Sequence, residues 1–473
     1  MDVFFLCSQL RHFMASPVAS HFCTSALLCG NPDFYLRRHH IVHRHFDPDL
    51  DREGNLLHPC SQERRAFLGN VRNDFLKQRI GLTVLNRLTV LLTLCLCTLT
   101  ATGQDSLTMD YLLDRIETQQ LKRNDFFMDG IFPSYISGNR KFKTRKQDNT
   151  MFYNALIAYT LNDHYDAFPS EQKIICDSII SRSKRALSKF KNPNRPTYNF
   201  WRRDTTFRFP YNSLFFGPKK TLPDDLDDTV LGLMILKEDD STNAVHALMQ
   251  DYTNSKPPLK TTYKIYSRDS AYSTWFGKKM PVVFDVSVLC NVLSFVQRNN
   301  LQWTTADSAS LQLIVKTIQR DDIRKHPLFV SPYYGNTSII LYHLARLMAV
   351  KDVPALEQLK PGLVTLARGR LQSSNNMLEK IILTITLLKW NEDPPSLNLT
   401  TSNVRDIETN DLPFFIGNIP SYFKQPWKED FMSLRLLMYY HYCPAWNDCL
   451  LMEYLVLRQQ KSKNFETNET FKH

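Results

Sequence analysis

The stretch Pro223-Asp224-Asp225-Leu226-Asp227-Asp228-Thr229-Val230-Leu231-Gly232-Leu233-Met234-Ile235-Leu236 sets four carboxylates within five residues at the head of an apolar run. Leu226, Val230, Leu231, Leu233, Met234 and Leu236 recur with helical rather than alternating spacing, so Pro223 to Asp228 is expected to be the entry to a helix. Aspartates suit such an entry, because they accept from free backbone N–H groups and complement the helix dipole, each contributing ~0.3–1 kcal/mol. One or two would serve. Four carry a like-charge cost, and crowded carboxylates raise one another's pKa, so that one of them can hold a proton near neutrality and act as an acid.

Working outward, helix-length apolar-periodic segments fill the chain from Asp105 onward. They run over 107–121, 149–161, 171–190, 226–237, 242–252, 281–297, 305–318, 338–350, 355–370, 375–389 and 428–442, with breaks at Pro, Asn, Asp and Ser clusters. Such a series in one domain-sized chain implies stacked antiparallel helical hairpins. No short tandem repeat of fixed period occurs, which favours a closed ring of degenerate hairpins over an open solenoid. Two aromatic-rich connections, 198–216 and 261–276, contain short alternating runs. They are expected to be long loops carrying small β-hairpins at one end of the barrel, where function usually sits.

The front of the chain differs. Seven of the thirteen histidines and four of the ten cysteines fall within its first sixty residues, without sustained periodicity and without the paired spacing of a zinc site. Arg79 and Arg87 then precede the apolar run Leu88 to Leu99 and the small residues Ala101-Thr102-Gly103. That pattern is a secretory signal peptide over 81–103, too short in its apolar core to span a bilayer. Residues 1–80 are then expected to be an upstream extension without structure of its own, 104–458 a single domain, and 459–473 a polar, disordered tail. The expected location is periplasmic or secreted. In that compartment Cys443 and Cys449 would suit a small disulfide loop, while Cys176 and Cys290 read as buried thiols.

The net charge is +11, and residues 1–103, with 11 basic and 8 acidic residues, hold only a small part of it. The excess favours anionic surfaces or glycans, including peripheral contact with a membrane. No RNP motif, zinc finger or basic helix points to nucleic acid, and no G-x-S-x-G, P-loop, H-E-x-x-H or dinucleotide-binding glycine pattern is present. His164, His246, His326, His343 and His441 lack ligand spacing and read as structural, with a position at the mouth of the barrel conceivable for His343. No metal and no cofactor are expected.

Asp225-Leu226-Asp227-Asp228-Thr229, read as D-x-D-D-T, resembles the acid motif of class II terpene cyclases of the squalene-hopene cyclase group. Ser273-Thr274-Trp275-Phe276-Gly277, the Asp285 to Leu293 pattern D-x-x-x-x-x-N-x-L, and Ser331-Pro332-Tyr333-Tyr334 are similar to segments of the wider terpene cyclase and protein prenyltransferase superfamily. The resemblance covers roughly residues 148–388. It implies an all-α fold, an α/α toroid, with Asp227 as proton donor to an alkene or epoxide, Asp225 and Asp228 tuning it, and Thr229 orienting a carboxylate. The glycine-rich Gln/Trp repeats of squalene cyclases, the prenyltransferase Asp-x-Cys zinc ligands and the thioester motif of complement-type toroids are missing.

Three functions are weighed. An acid-catalysed isoprenoid cyclase needs an aromatic, water-poor cavity, for which Phe200, Trp201, Phe207, Phe209, Tyr211, Phe215, Phe216, Trp275 and Phe276 are candidates, with Asn291, Tyr333 and Tyr334 as further substrate contacts. A secreted glycan hydrolase or lyase would pair a carboxyl of the cluster with Asp285 across the mouth. A non-catalytic toroid would bind a small molecule, lipid or glycan there, its aspartates capping helices, pairing with Arg202, Arg203, Arg208 or Lys219, or holding Ca²⁺.

Overall fold

The computed structural model describes residues 107–121, 125–202, 222–236, 239–277 and 280–470. Among them the chain is mostly helical, with sixteen helices and one antiparallel sheet of four strands. The long helices are α1 (Met109–Leu121), α2 (Phe152–Asp163), α3 (Ser170–Leu187), α4 (Leu226–Leu236), α5 (Asp239–Met249), α6 (Val286–Arg298), α7 (Thr305–Gln319), α8 (Thr337–Val350), α9 (Lys360–Ser373), α10 (Met377–Lys389), α11 (Thr401–Glu408) and α12 (Pro444–Thr470). Four one-turn helices complete the set.

Two kinds of helix are distinguishable by burial. α4 and α8 bury nearly every residue, as α2 and α6 do, whereas α3 buries one stripe and α9 only Leu363 and Ala367. A helix apolar all round must be covered on all sides, and one with a single stripe faces water with the rest. The contacts follow that division. α2 packs on α4, α4 on α6, α6 on α8, α8 on α10, α10 on α12, and α12 returns to α2. α3 lies against α2, α5 against α4, α7 against α6, α9 against α8 and α10, α11 against α12, and α1 against α12 and α3.

The sheet comprises β1 (Ser134–Ser137), β2 (Lys146–Asp148), β3 (Phe415–Asn418) and β4 (Met438–Tyr442), in the order β2-β1-β4-β3. Its strands come from two distant parts of the chain, Ser134 pairing with Asp148 within one and Ile136 with His441 across the two. This corrects two expectations. The segment 428–442 is not one helix: Trp427–Phe431 makes a single turn, and Met438-Tyr439-Tyr440-His441-Tyr442 is fully buried as β4. Aromatic residues favour a pleated, packed surface, and of the partner strands that draw them there β1 is remote in sequence. The connection 261–276 is irregular backbone held by isolated bridges, not a hairpin.

α12 was not anticipated, and it continues through Thr470 where a disordered tail from 459 is expected. Lys, Gln and Glu are good helix formers, and extending an existing helix costs far less than starting one. Cys443 and Cys449, which the sequence left open as a disulfide loop, are both buried free thiols. Six residues of helical rise separate Cα atoms by about 9 Å, beyond the ~7 Å limit of a disulfide. Cys176 and Cys290 are buried thiols, as expected. The expected leader at 81–103 and extension at 1–80 lie outside the described residues. No helix among the described residues is long and apolar enough to cross a membrane.

Candidate functional site

The four aspartates have separate surroundings. Asp225 precedes α4 and is gripped on both sides, by backbone bridges to Tyr198 and Trp275. Its N–H donates to the Tyr198 carbonyl at 3.3 Å, and the next N–H, of Leu226, donates to Thr274 at 2.8 Å. One carboxylate oxygen of Asp225 accepts from the Asp228 N–H at 2.9 Å, which is the capping role the sequence suggests. Among the described residues Thr229 meets no carboxylate. Its hydroxyl accepts from the Tyr198 N–H at 3.0 Å and so ties the helix to the 198 loop.

Asp224 is neutralised. Arg195 makes two bonds to it, Nε and Nη2 each at 2.6 Å, and Thr197 donates a third. The sequence pointed to Arg202, Arg203, Arg208 or Lys219 for this part; Arg203, Arg208 and Lys219 lie outside the described residues. Asp227 accepts from Asn291 Nδ2 at 2.7 Å on one oxygen and from the Tyr334 hydroxyl on the other. Burial pushes its pKa up, while those two donors and the nearby Arg346 oppose the rise.

Asp228 differs from all of these. It is 1% exposed, and neither of its oxygens meets a hydrogen-bond donor among the described residues. Burial and then the charges of Asp225 and Asp227 hold its pKa well above the carboxylate range. Asp225 is also raised, first by burial. Two buried carboxyls side by side cannot both ionise, so this pair retains a proton at neutral pH.

Asp225, Asp227 and Asp228 line one wall of a narrow cavity of about 60 Å³. The remaining walls are aromatic and apolar: Phe152, Phe200 and Trp201 on one side, Trp275, Tyr333 and Tyr422 on another, and Phe415, Ile419, Tyr439 and His441 from the sheet and its connection. Phe200 stacks on Phe415 with centroids 5.3 Å apart, and the Trp275 indole donates to the Tyr333 hydroxyl at 2.8 Å. The cavity is thus walled by ring faces, with the carboxyls as its acidic end.

Asp285 does not face the cluster across this mouth, and it is not among the cavity's lining residues. It caps α6, accepting from the N–H groups of Ser287 at 2.9 Å and Val288 at 3.2 Å, from the Ser331 hydroxyl at 2.6 Å and from the Tyr333 N–H at 2.8 Å. Burial still lifts its pKa to about 7. Phe276 also lies off the cavity, packed edge-on against Tyr252 at 5.1 Å and beneath the Arg195 guanidinium. Asn291 and Tyr334 act through Asp227, while Trp201, Trp275 and Tyr333 do line the space. Phe207, Phe209, Tyr211, Phe215 and Phe216 lie outside the described residues.

Sequence reasoning missed Phe152, which opens α2 within the resemblance, and Phe415, Ile419, Tyr422, Tyr439 and His441, because β3, β4 and their connection lie beyond residue 388, where the resemblance ends. His343 is buried rather than at the mouth. It sits edge-on to Tyr334 at 4.4 Å, and burial lowers its pKa to about 3. No group of acidic, histidine or cysteine residues suited to a metal ion occurs among the described residues. No family model matches this chain, and neither the curated proteins nor the solved structures provide a match.

Proposed function

We propose that this chain is an α/α toroid and that its cavity carries out acid-initiated chemistry on an isoprenoid or similar apolar alkene. The closed order of contacts among α2, α4, α6, α8, α10 and α12, with the other helices against them, supports the toroid. One arrangement carries the chemistry: the buried carboxyls of Asp225 and Asp228, the latter without a hydrogen-bond donor among the described residues, line an aromatic cavity where burial raises both pKa values.

In that cavity the Asp228 proton adds to the alkene, forming a C–H bond from the π pair and leaving a carbocation. Each ring face can stabilise that cation by ~0.5–2 kcal/mol, and the chemistry requires bound substrate to keep water from the cation. Asp227, which the motif alone casts as the donor, has both oxygens accepting and serves better as the anion that tunes the pair. Glycan hydrolysis is less well supported, because the second carboxyl it needs, Asp285, is committed to capping α6. Export from the cytoplasm belongs to the same proposal and rests on residues 81–103.

The test is incubation of the full chain and its Asp228→Asn variant with squalene and with geranylgeraniol in D₂O. Product carrying one new C–D bond is expected from the unmutated protein, with the rate falling ~10²–10⁴-fold in the variant. Equal products from both would remove Asp228 as the acid. Sugar release from oligosaccharides, lost in the variant, would transfer the function to glycans.

A further inference from the structure

A second pair of proton-handling side chains, His441 in the lining of the same cavity and Asp148 beside it, is not used by initiation at Asp228. His441 lies on β4, opposite Ile136 of β1 and Phe415 of β3, and Asp148 ends β2 opposite Ser134. The sheet order β2-β1-β4-β3 brings the two side chains together across β1. Asp148 is fully buried and accepts the Trp201 indole N–H on Oδ1 at 2.9 Å. Its Oδ2 lies 3.5 Å from His441 Nδ1, and neither of these two atoms has a hydrogen-bond partner among the described residues.

A carboxylate 3.5 Å from Nδ1 favours the tautomer with the proton on that nitrogen, in which the Nε2 lone pair is an acceptor. Nε2 is the cavity side of the ring: a Cβ placed on Gly417, a lining residue, would stand 3.6 Å from it. The imidazole is also set among ring faces, with the Phe200 and Phe415 centroids each 5.3 Å away. The hydroxyls of Tyr333, Tyr422 and Tyr439 and the Asn418 amide, which share the cavity, are much weaker bases.

We propose that His441, oriented by Asp148, is the base that ends the reaction. The inference rests on the acid-initiated reading above. In the closing step Nε2 takes a proton from the carbon next to the cationic centre. The C–H bond breaks, its electron pair becomes a new C=C bond, and the imidazole becomes imidazolium paired with Asp148. One proton enters from Asp228 and one leaves to His441, so substrate and product are isomers. Solvent returns the proton to the carboxyl pair after product leaves. Asp148 is a positioning residue, and Gly417 leaves room for substrate carbon at Nε2.

The experiment compares the full chain with its His441→Ala, His441→Gln, Asp148→Asn and Gly417→Ala variants on squalene and geranylgeraniol, with Asp228→Asn alongside. Products are sorted into alkenes, formed by proton loss, and alcohols, formed by capture of water. The expected result is a fall of at least about tenfold in the alkene-to-alcohol ratio for both His441 variants, a smaller fall for Asp148→Asn, and a shifted double bond for Gly417→Ala. Circular dichroism verifies folding, and ¹⁵N NMR of the His441 ring is expected to show the Nδ1–H tautomer, lost in Asp148→Asn. An unchanged ratio in both His441 variants, with consumption still abolished by Asp228→Asn, overturns the base and spares the acid. An Nε2–H tautomer in the unmutated protein overturns it independently of turnover. No consumption of either probe by the unmutated protein overturns the acid reading, and this inference with it.

Discussion

At the scale of one residue, Asp228 is built for a proton at the expense of stability. Its unfolded pKa is ~3.9, and burial beside Asp225 and Asp227 raises the folded value well above that. The native state therefore binds a proton that the unfolded chain has released, so stability falls as pH rises from about 4 toward the folded value. Asparagine keeps the shape and cannot ionise. Asp228→Asn is expected to stabilise the fold by ~0.5–2 kcal/mol at pH 8 and by clearly less at pH 5, as found when a strained functional group is relieved. Denaturant titration at the two pH values is the measurement. Equal effects at both would mean that Asp228 is ionised in the native state and cannot be the donor. The cluster's density was readable in the sequence, but the division of labour within it was not. Arg195, Asn291 and Tyr334, which neutralise or tether Asp224 and Asp227, lie 29 to 107 residues away, and only folding brings them in.

Among elements, helices legible from periodicity are those whose burial is decided locally, such as α3 with its single stripe. β4 reads as helix because its aromatic residues fit either period, and the choice is made by β3 across a connection and by β1 far away in sequence. Asp285 shows how an element can commit a carboxyl. As the cap of α6 it holds the helix start and also the turn before α8, through Ser331 and Tyr333. Asp285→Ala removes the cap, at ~0.5–2 kcal/mol, and leaves buried donors unpaired, at ~1–3 kcal/mol. A loss of about 2–4 kcal/mol is expected, with Asp285→Asn milder, since an amide oxygen can still cap. The two aspartates should therefore move stability in opposite directions. Thermal unfolding of Asp228→Asn and Asp285→Ala side by side decides it, and a stabilised Asp285→Ala would return that residue to the list of strained functional groups.

For the whole molecule, a buried charge network links the ends of α2, α6 and α10 with α8 and α12. Glu453 of α12 accepts from Lys389 at 2.9 Å and His164 at 3.3 Å on one oxygen and from Tyr342 at 2.8 Å on the other. Asp163 ends α2 and pairs with Arg298, the last residue of α6, while Arg346 of α8 lies over the Tyr159 ring at 4.5 Å. Arg298 and Lys389 stand at helix C-termini, where cations are favoured. Lys389 above all lowers the Glu453 pKa against the burial that would raise it. A depressed carboxyl contributes stability that is complete above its unfolded value of ~4.3 and is lost as pH falls below it. Lys389→Met leaves Glu453 as an uncompensated buried charge and is expected to cost about 3–5 kcal/mol at pH 7. The Lys389→Met/Glu453→Leu double variant should recover much of that loss, because replacing a buried pair with apolar groups is often neutral. The same network makes the cost global, so amide exchange in α2 and α10 should accelerate together with that in α12. If Lys389→Met destabilised α10 alone, with α2 and α12 still protected, the network would be a local pair.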